Sequence, residues 1–99
     1  MPDATSTSPI VRHLHIHGHV QGVWYRASAK AEADRLGLAG WTRNLQDDSV
    51  EALVAGPAQA VAEFIAWAHQ GPPKARVERI DVSDREAPAD TGFHILPDA

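Results

Sequence analysis

The chain has no cysteine among its 99 residues. That removes disulfide staples, thiolate zinc sites, iron–sulfur clusters and cysteine nucleophiles in one step. No apolar run approaches the roughly 18 residues that a membrane span needs, so no membrane partner is expected. The opening MPDATSTSP has neither a basic start nor an apolar segment, unlike a secretory signal. Residues 1–9 read as a disordered tail before a single domain over 10–99, and the cytoplasm is the expected location. Large side chains are scarce as well. Alanine supplies 17 of the 43 apolar residues, and Val, Ile, Leu and Phe make 21 of the 99, just above the range where disorder sets in. A small core must therefore lean on three Trp, two Phe and one Tyr.

Basic charge is also in short supply. Nine Lys and Arg against thirteen Asp and Glu give −4 with histidines neutral, which argues against a general nucleic-acid partner. The distribution is uneven. No acid lies between Ala4 and Ala31, where Arg12, Arg26 and Lys30 give +3, leaving −7 for the rest (+3 − 7 = −4). Unless that gap is accidental, a small anion meets a favourable field in the first third of the chain.

What is present is periodic. Val11–Val20 alternates strictly, the mark of a half-buried strand. Arg12, Leu14, Ile16, Gly18 and Val20 share one face; Val11, His13, His15, His17 and His19 share the other. Good helix formers run from Tyr25 to Leu36, with Gly37 where a left-handed cap belongs. Trp41–Leu45 and Ser49–Ala55 read as strands joined through Gln46-Asp47-Asp48. Gly56-Pro57 opens a second helix with Pro57 expected at its first position. Its apolar stripe is Val61, Phe64, Ile65 and Ala68, and Gly71-Pro72-Pro73 ends it. Val77, Ile80 and Val82 suggest a fourth strand whose phase slips between Val77 and Ile80, predicting a bulge. Phe93 and Ile95 alternate in a short last strand.

Two split strand–helix–strand units predict an α+β sandwich of the α/β type, ferredoxin-like βαββαβ. Its four- to five-stranded antiparallel sheet carries both helices on one face. Leu14 and Ile16 then lie under the helices and the histidine row faces the open side. The fold alone implies no function.

The chemistry concentrates in Gly18-His19-Val20-Gln21-Gly22-Val23-Trp24-Tyr25-Arg26, running from a strand end into a helix start. Such a loop gathers unpaired backbone N–H groups, and the helix dipole adds partial positive charge. Gly22 lets several N–H groups converge, and Arg26 offers a planar fork suited to phosphate oxygens. A bare arginine at a helix start is disfavoured by the dipole, so its placement calls for an anion. Together these residues read as a small phosphate cradle.

The stretch resembles the acylphosphatase family, whose first motif, G-x-V-Q-G-V-x-aromatic-R, is matched at every fixed position from Gly18 to Arg26. The family's second motif, G-(F/W)-x-x-N-x-x-D-G-x-V-E, is met from Gly40 to Glu51 with one departure: Asp48 stands where glycine is usual. The resemblance covers about Val11 to Ile95. It implies the same sandwich and hydrolysis of acyl phosphates to a carboxylate and inorganic phosphate. It implies that Arg26 and the loop backbone through His19, Val20, Gln21, Gly22, Val23, Trp24 and Tyr25 bind the phosphoryl group, while Asn44 positions the attacking water. The carboxylate leaving group (pKa about 4) needs no acid to protonate it, so the scheme requires no metal and no cofactor. A small-molecule acyl phosphate is the expected partner, and a monomer the expected state.

Other residues carry weaker signals. Trp24, Tyr25 and Trp41 suit an acyl-group pocket, although Tyr25 and Trp41 are read first as core. Gln21 either shapes the loop or touches the ligand. Alternate positions of the histidine row stand roughly 6.5–7 Å apart, with no carboxylate interleaved along the strand, so the row is read as a solvated face without metal. Protonating all six histidines would carry the charge from −4 to +2. Two other classes of function compete: a non-catalytic module for phosphate or carbamoyl phosphate, and an RNA-binding module of the same fold. The free-standing length and the Arg26/Asn44 pair favour the enzyme, and the strand from Val11 to His19 lacks the exposed aromatics that RNA stacking needs.

Overall fold

The computed structural model describes residues 9–86 and 91–99. The tail expected over 1–9 thus falls, apart from Pro9, outside the described residues. The element order is β1 (Ile10–His19), α1 (Tyr25–Leu36), β2 (Ala39–Asn44), β3 (Val50–Gly56), α2 (Ala58–Gln70), β4 (Arg76–Asp84) and β5 (Phe93–Ile95). The sheet order is β4-β1-β3-β2-β5. Alternation in β1 works as expected: Leu14 and Ile16 are fully buried under the helices while His13, His15 and His17 stay partly exposed on the other face. Burying each such aliphatic side chain contributes roughly 1.5–3 kcal/mol.

The phase slip in β4 is a bulge. His17 pairs with Arg79 and Gly18 with Val77, so Glu78 has no opposite number. Gly18 takes φ +130 there, and a Cβ on it would collide with the Arg76 carbonyl. The first glycine of the motif is thus explained by the close approach of two strands.

One expectation fails. The sheet is antiparallel through its first four strands, but β5 pairs with β2 in parallel, Trp41 opposite His94 and Thr42 opposite Ile95. The reason is geometric. β4 ends at the end of the sheet where β2 begins, so the chain reaches the far edge already pointing along β2. Beyond β5 it continues beside β2, with Leu96 N–H donating to Thr42 O and Ala99 N–H to Asn44 O at 2.9 and 3.0 Å.

Helix α1 ends as its sequence says. Gly37 is left-handed (φ 70), and Gly37 and Leu38 N–H return to the Asp34 and Ala33 carbonyls. Helix α2 buries Val61, Phe64 and Ala68, with Ile65 at the edge of the core. Pro57 precedes its first turn as the capping residue, one position earlier than expected, because its ψ of 144 is extended. Phe64 packs on Trp67 and Phe93 at centroid distances of 5.7 and 6.0 Å, and Trp67 on Tyr25 at 5.4 Å. Each such pair adds about 0.5–1.5 kcal/mol beyond burial. Tyr25 donates its hydroxyl to Ala68 O at 2.7 Å, and burial pushes its phenol upward, so it stays neutral.

Trp41 does not join that core. It lies on the open face against Val11, Leu53 and Ala55, because β2 pairs it with Leu53 on the side away from the helices. The β2–β3 turn carries Asp48 in the left-handed region at φ 72. Aspartate accepts this at some strain, while Asp47 beside it takes both the N–H and the hydroxyl of Ser49. Asp48→Gly is expected to stabilise the fold by about 0.5–1 kcal/mol after the larger entropy of an unfolded glycine is subtracted. Urea denaturation checks this; a loss of stability would mean Asp48 makes up for its strain elsewhere.

Candidate active site

Two left-handed residues shape the loop between β1 and α1: Gly22 at φ 74 and Trp24 at φ 68, with Val23 between them at negative φ. Alternating handedness of this kind curls successive N–H groups toward one point, a concavity suited to anions. The first backbone bond of the helix runs from Ser28 N–H to Trp24 O at 3.0 Å, so Tyr25, Arg26 and Ala27 N–H have no helical acceptor. Left-handed tryptophan is unusual and stores strain of the kind found at binding sites.

This loop forms one wall of an open cleft of about 390 Å³, bounded by Val20, Gln21, Gly22, Trp24, Tyr25, Arg26, Ala27, Asn44 and Ile95. Arg26 is about one-third exposed, and its Nη1 sits 3.3 Å from Asp98 Oδ1. Asn44 is buried at 8% exposure, and its Oδ1 has no hydrogen-bond partner among the described residues. A buried acceptor of this kind costs about 1–3 kcal/mol unless something donates to it. Gln21 is a brace: its Nε2 donates to Leu45 O and Ser49 O, both at 2.8 Å. The cradle and the turn after Asn44 are thereby tied together.

The structure places Val20, Gln21, Gly22, Trp24, Tyr25, Arg26 and Asn44 around one opening. Two residues fall elsewhere. Val23 turns its side chain into the core and offers the loop only its backbone. His19 is exposed in a neighbouring hollow with Gly18, Val20, Gln21 and Asp48, so it does not line the cleft. The favourable field also narrows: Arg12 pairs with Asp84 and Lys30 with Asp34, and of the three early cations only Arg26 borders the cleft. Sequence reasoning missed Asp98 and the Ile95 wall. Ile95 was legible as strand but not as a neighbour of Arg26.

Glu51, the last residue of the second motif, anchors β3 on the open face. Its carboxylate meets His13 Nε2 at 2.8 Å and Arg43 Nε. Burial works to raise its carboxyl, but hydrogen bonds from His13 and Arg43 outweigh it and hold the group below its ordinary value. Its stabilisation is therefore present above the ordinary value of about 4.3 and lost as pH falls through the lowered folded value. Glu51→Gln should be less stable than the native chain at pH 7, with the gap closing below about pH 4. Denaturation at both pH values checks it; an equal gap at pH 7 and 3 would contradict it.

Fold and site together define an α+β sandwich in which the free N–H groups of a helix start and one arginine meet at an open cleft. The sequence model of the acylphosphatase family matches residues 12–95. An acylphosphatase of Azoarcus sp. is 59% identical over 97 residues, 98% of each chain. Among solved structures, the acylphosphatase of Bacillus subtilis superposes with a TM-score of 0.83 at 33% identity, covering 88% of this chain and 98% of that one. That of Coxiella burnetii gives 0.87 at 27%, covering 97% and 100%. The chain belongs to the acylphosphatase family. It is a hydrolase of the carboxyl–phosphate anhydride in small acyl phosphates.

Proposed function

We propose that Arg26 and the N–H groups from about Gly22 to Arg26 hold the phosphoryl oxygens of the substrate, and that Asn44 orients the water that attacks it. Asn44 carries the reading: it lines the same cleft as Arg26, and its buried Oδ1 has no hydrogen-bond partner among the described residues. An amide oxygen accepts a hydrogen bond from water and so points the water's lone pair at phosphorus. It is far too weak a base to remove a proton at neutral pH, which leaves orientation as its role. Water oxygen bonds to phosphorus as the bond from phosphorus to the acyl oxygen breaks. The carboxylate leaves with the electron pair, and the water's proton passes to phosphate and solvent. Charge building on the phosphoryl oxygens meets the Arg26 fork and the fixed N–H dipoles. Gln21 and Trp24 hold the loop's shape, and Trp24, at 80% exposure, with Ile95 borders the side open to an acyl group.

Residues 10–99 work in this reading as one unit, a cytoplasmic monomer. No helix of the described residues is long and apolar enough to cross a membrane, and a chain without cysteine needs no oxidising compartment to fold.

The test is hydrolysis of benzoyl phosphate in EDTA by the native chain and by Asn44→Ala. The variant is expected to lose about 10² in kcat while inorganic phosphate still inhibits it as strongly as the native chain. A native chain that folds and binds phosphate without turnover would give the site to a binding module. An Asn44→Ala variant with native kcat would remove Asn44 from the chemistry.

A further inference from the structure

The histidine row gains from the sheet what its own strand lacks. On the open face β4 sets Asp81 opposite His15 and Arg79 opposite His17. Asp81 Oδ2 lies 3.2 Å from His17 Nε2, and the His15 and His17 rings stand 4.0 Å apart, centroid to centroid. One ligand atom from each of His15, His17 and Asp81 falls within 4.8 Å of the others. No carboxylate is interleaved along β1 itself; Asp81 arrives across the sheet, from 64 positions along the chain.

We infer that His15, His17 and Asp81 form a site for one divalent transition-metal ion of the zinc, nickel and copper class. Two imidazoles and a carboxylate suit these ions, whereas calcium and magnesium call for all-oxygen sets. Tetrahedral zinc with bonds of about 2.0–2.1 Å sets its ligand atoms about 3.3–3.5 Å apart. The widest gap must therefore close by about 1.4 Å, within the reach of side-chain rotation. The strand ladder already fixes the backbone beneath. All three side chains are partly open to solvent, which leaves an entry path and room for water as the fourth ligand. Ser49 Oγ orients His15 through Nε2 at 2.7 Å. The main competitor is Arg79, whose guanidinium touches Asp81 at 3.1 and 3.3 Å and His17 Nε2 at 3.1 Å. The next pair along the row, His13 and Glu51, is already engaged by Arg43. None of the three proposed ligands borders the phosphate cleft, so the site is separate from the reaction.

The test is calorimetric titration of the tag-free chain with Ni²⁺ or Zn²⁺ alone, in buffer without phosphate. One ion per chain is expected, with His17→Ala and Asp81→Asn each weakening binding at least about tenfold, and His69→Ala, on the far end of α2, leaving it unchanged. Arg79→Ala should tighten binding several-fold, because it frees the carboxylate and removes a positive charge. That gain separates a built site from loose chelation by surface histidines. No saturable single-ion binding, native affinity in Asp81→Asn, or weaker binding in Arg79→Ala would each overturn the assignment.

Discussion

Arg26→Ala is expected to lower kcat/KM for benzoyl phosphate by at least about 10²–10³, the loss typical of removing a donor to a transition-state oxyanion. Arg26 is the second residue of α1, where the helix dipole disfavours a cation, and it borders the cleft beside three N–H groups that lack helical acceptors. Asp98 partly balances it at 3.3 Å but does not line the cleft. In the proposed reading a phosphoryl group meets the fork and the backbone donors together. Because bound phosphate uses the same contacts as the transition state, KM should rise as kcat falls, and inhibition by inorganic phosphate should weaken. Arg26→Lys restores the charge but not the bidentate fork, so it should recover little. The side chain is about one-third exposed and lies outside the core cluster, so both variants should fold. Native turnover in Arg26→Ala would place the cradle elsewhere.

Gly18→Ala is expected to cost about 3 kcal/mol or more, the sum of a disallowed backbone angle and a forced separation of strands. At φ +130 a Cβ would collide with the Arg76 carbonyl and crowd Glu78 N. Relief requires β1 and β4 to part at the bulge, on the strand that carries Leu14 and Ile16 into the core. For a domain of this size the melting temperature should fall by roughly 12–24 °C. Gly22→Ala is the contrast. Its Cβ would meet open space, so only the strain of φ 74 remains, about 1–2 kcal/mol. Two equal losses would mean that contact with β4 plays no part at Gly18.

Most of this architecture was legible in the sequence because it is local. Leu14 and Ile16 declare the buried face by alternation, Gly37 ends α1 with a left-handed turn, and the slip between Val77 and Ile80 marks the bulge. The loop from Gly18 to Arg26 was legible for the same reason, since one contiguous stretch supplies both the donors and the arginine. What escaped depends on distant pairing. The direction of β5 follows from where β4 ends, which no periodicity in Phe93–Ile95 encodes. Asp98 reaches Arg26 across 72 positions only because the chain continues along β2 past Asn44. Trp41 looked like core because it is large and apolar, yet register with Leu53 turns it to the open face. His19 alternates with the other histidines but ends β1 just before Val20, where the cleft wall begins, and lines the neighbouring hollow.

The division of labour between Arg26 and Asn44 is tested most directly by phosphate inhibition of benzoyl phosphate hydrolysis, measured side by side in the native chain, Arg26→Ala and Asn44→Ala. The account predicts that Asn44→Ala keeps the native inhibition constant while turning over about 10² more slowly, and that Arg26→Ala loses both inhibition and turnover. Undiminished inhibition in Arg26→Ala, or an inhibition constant that collapses in Asn44→Ala, would contradict it.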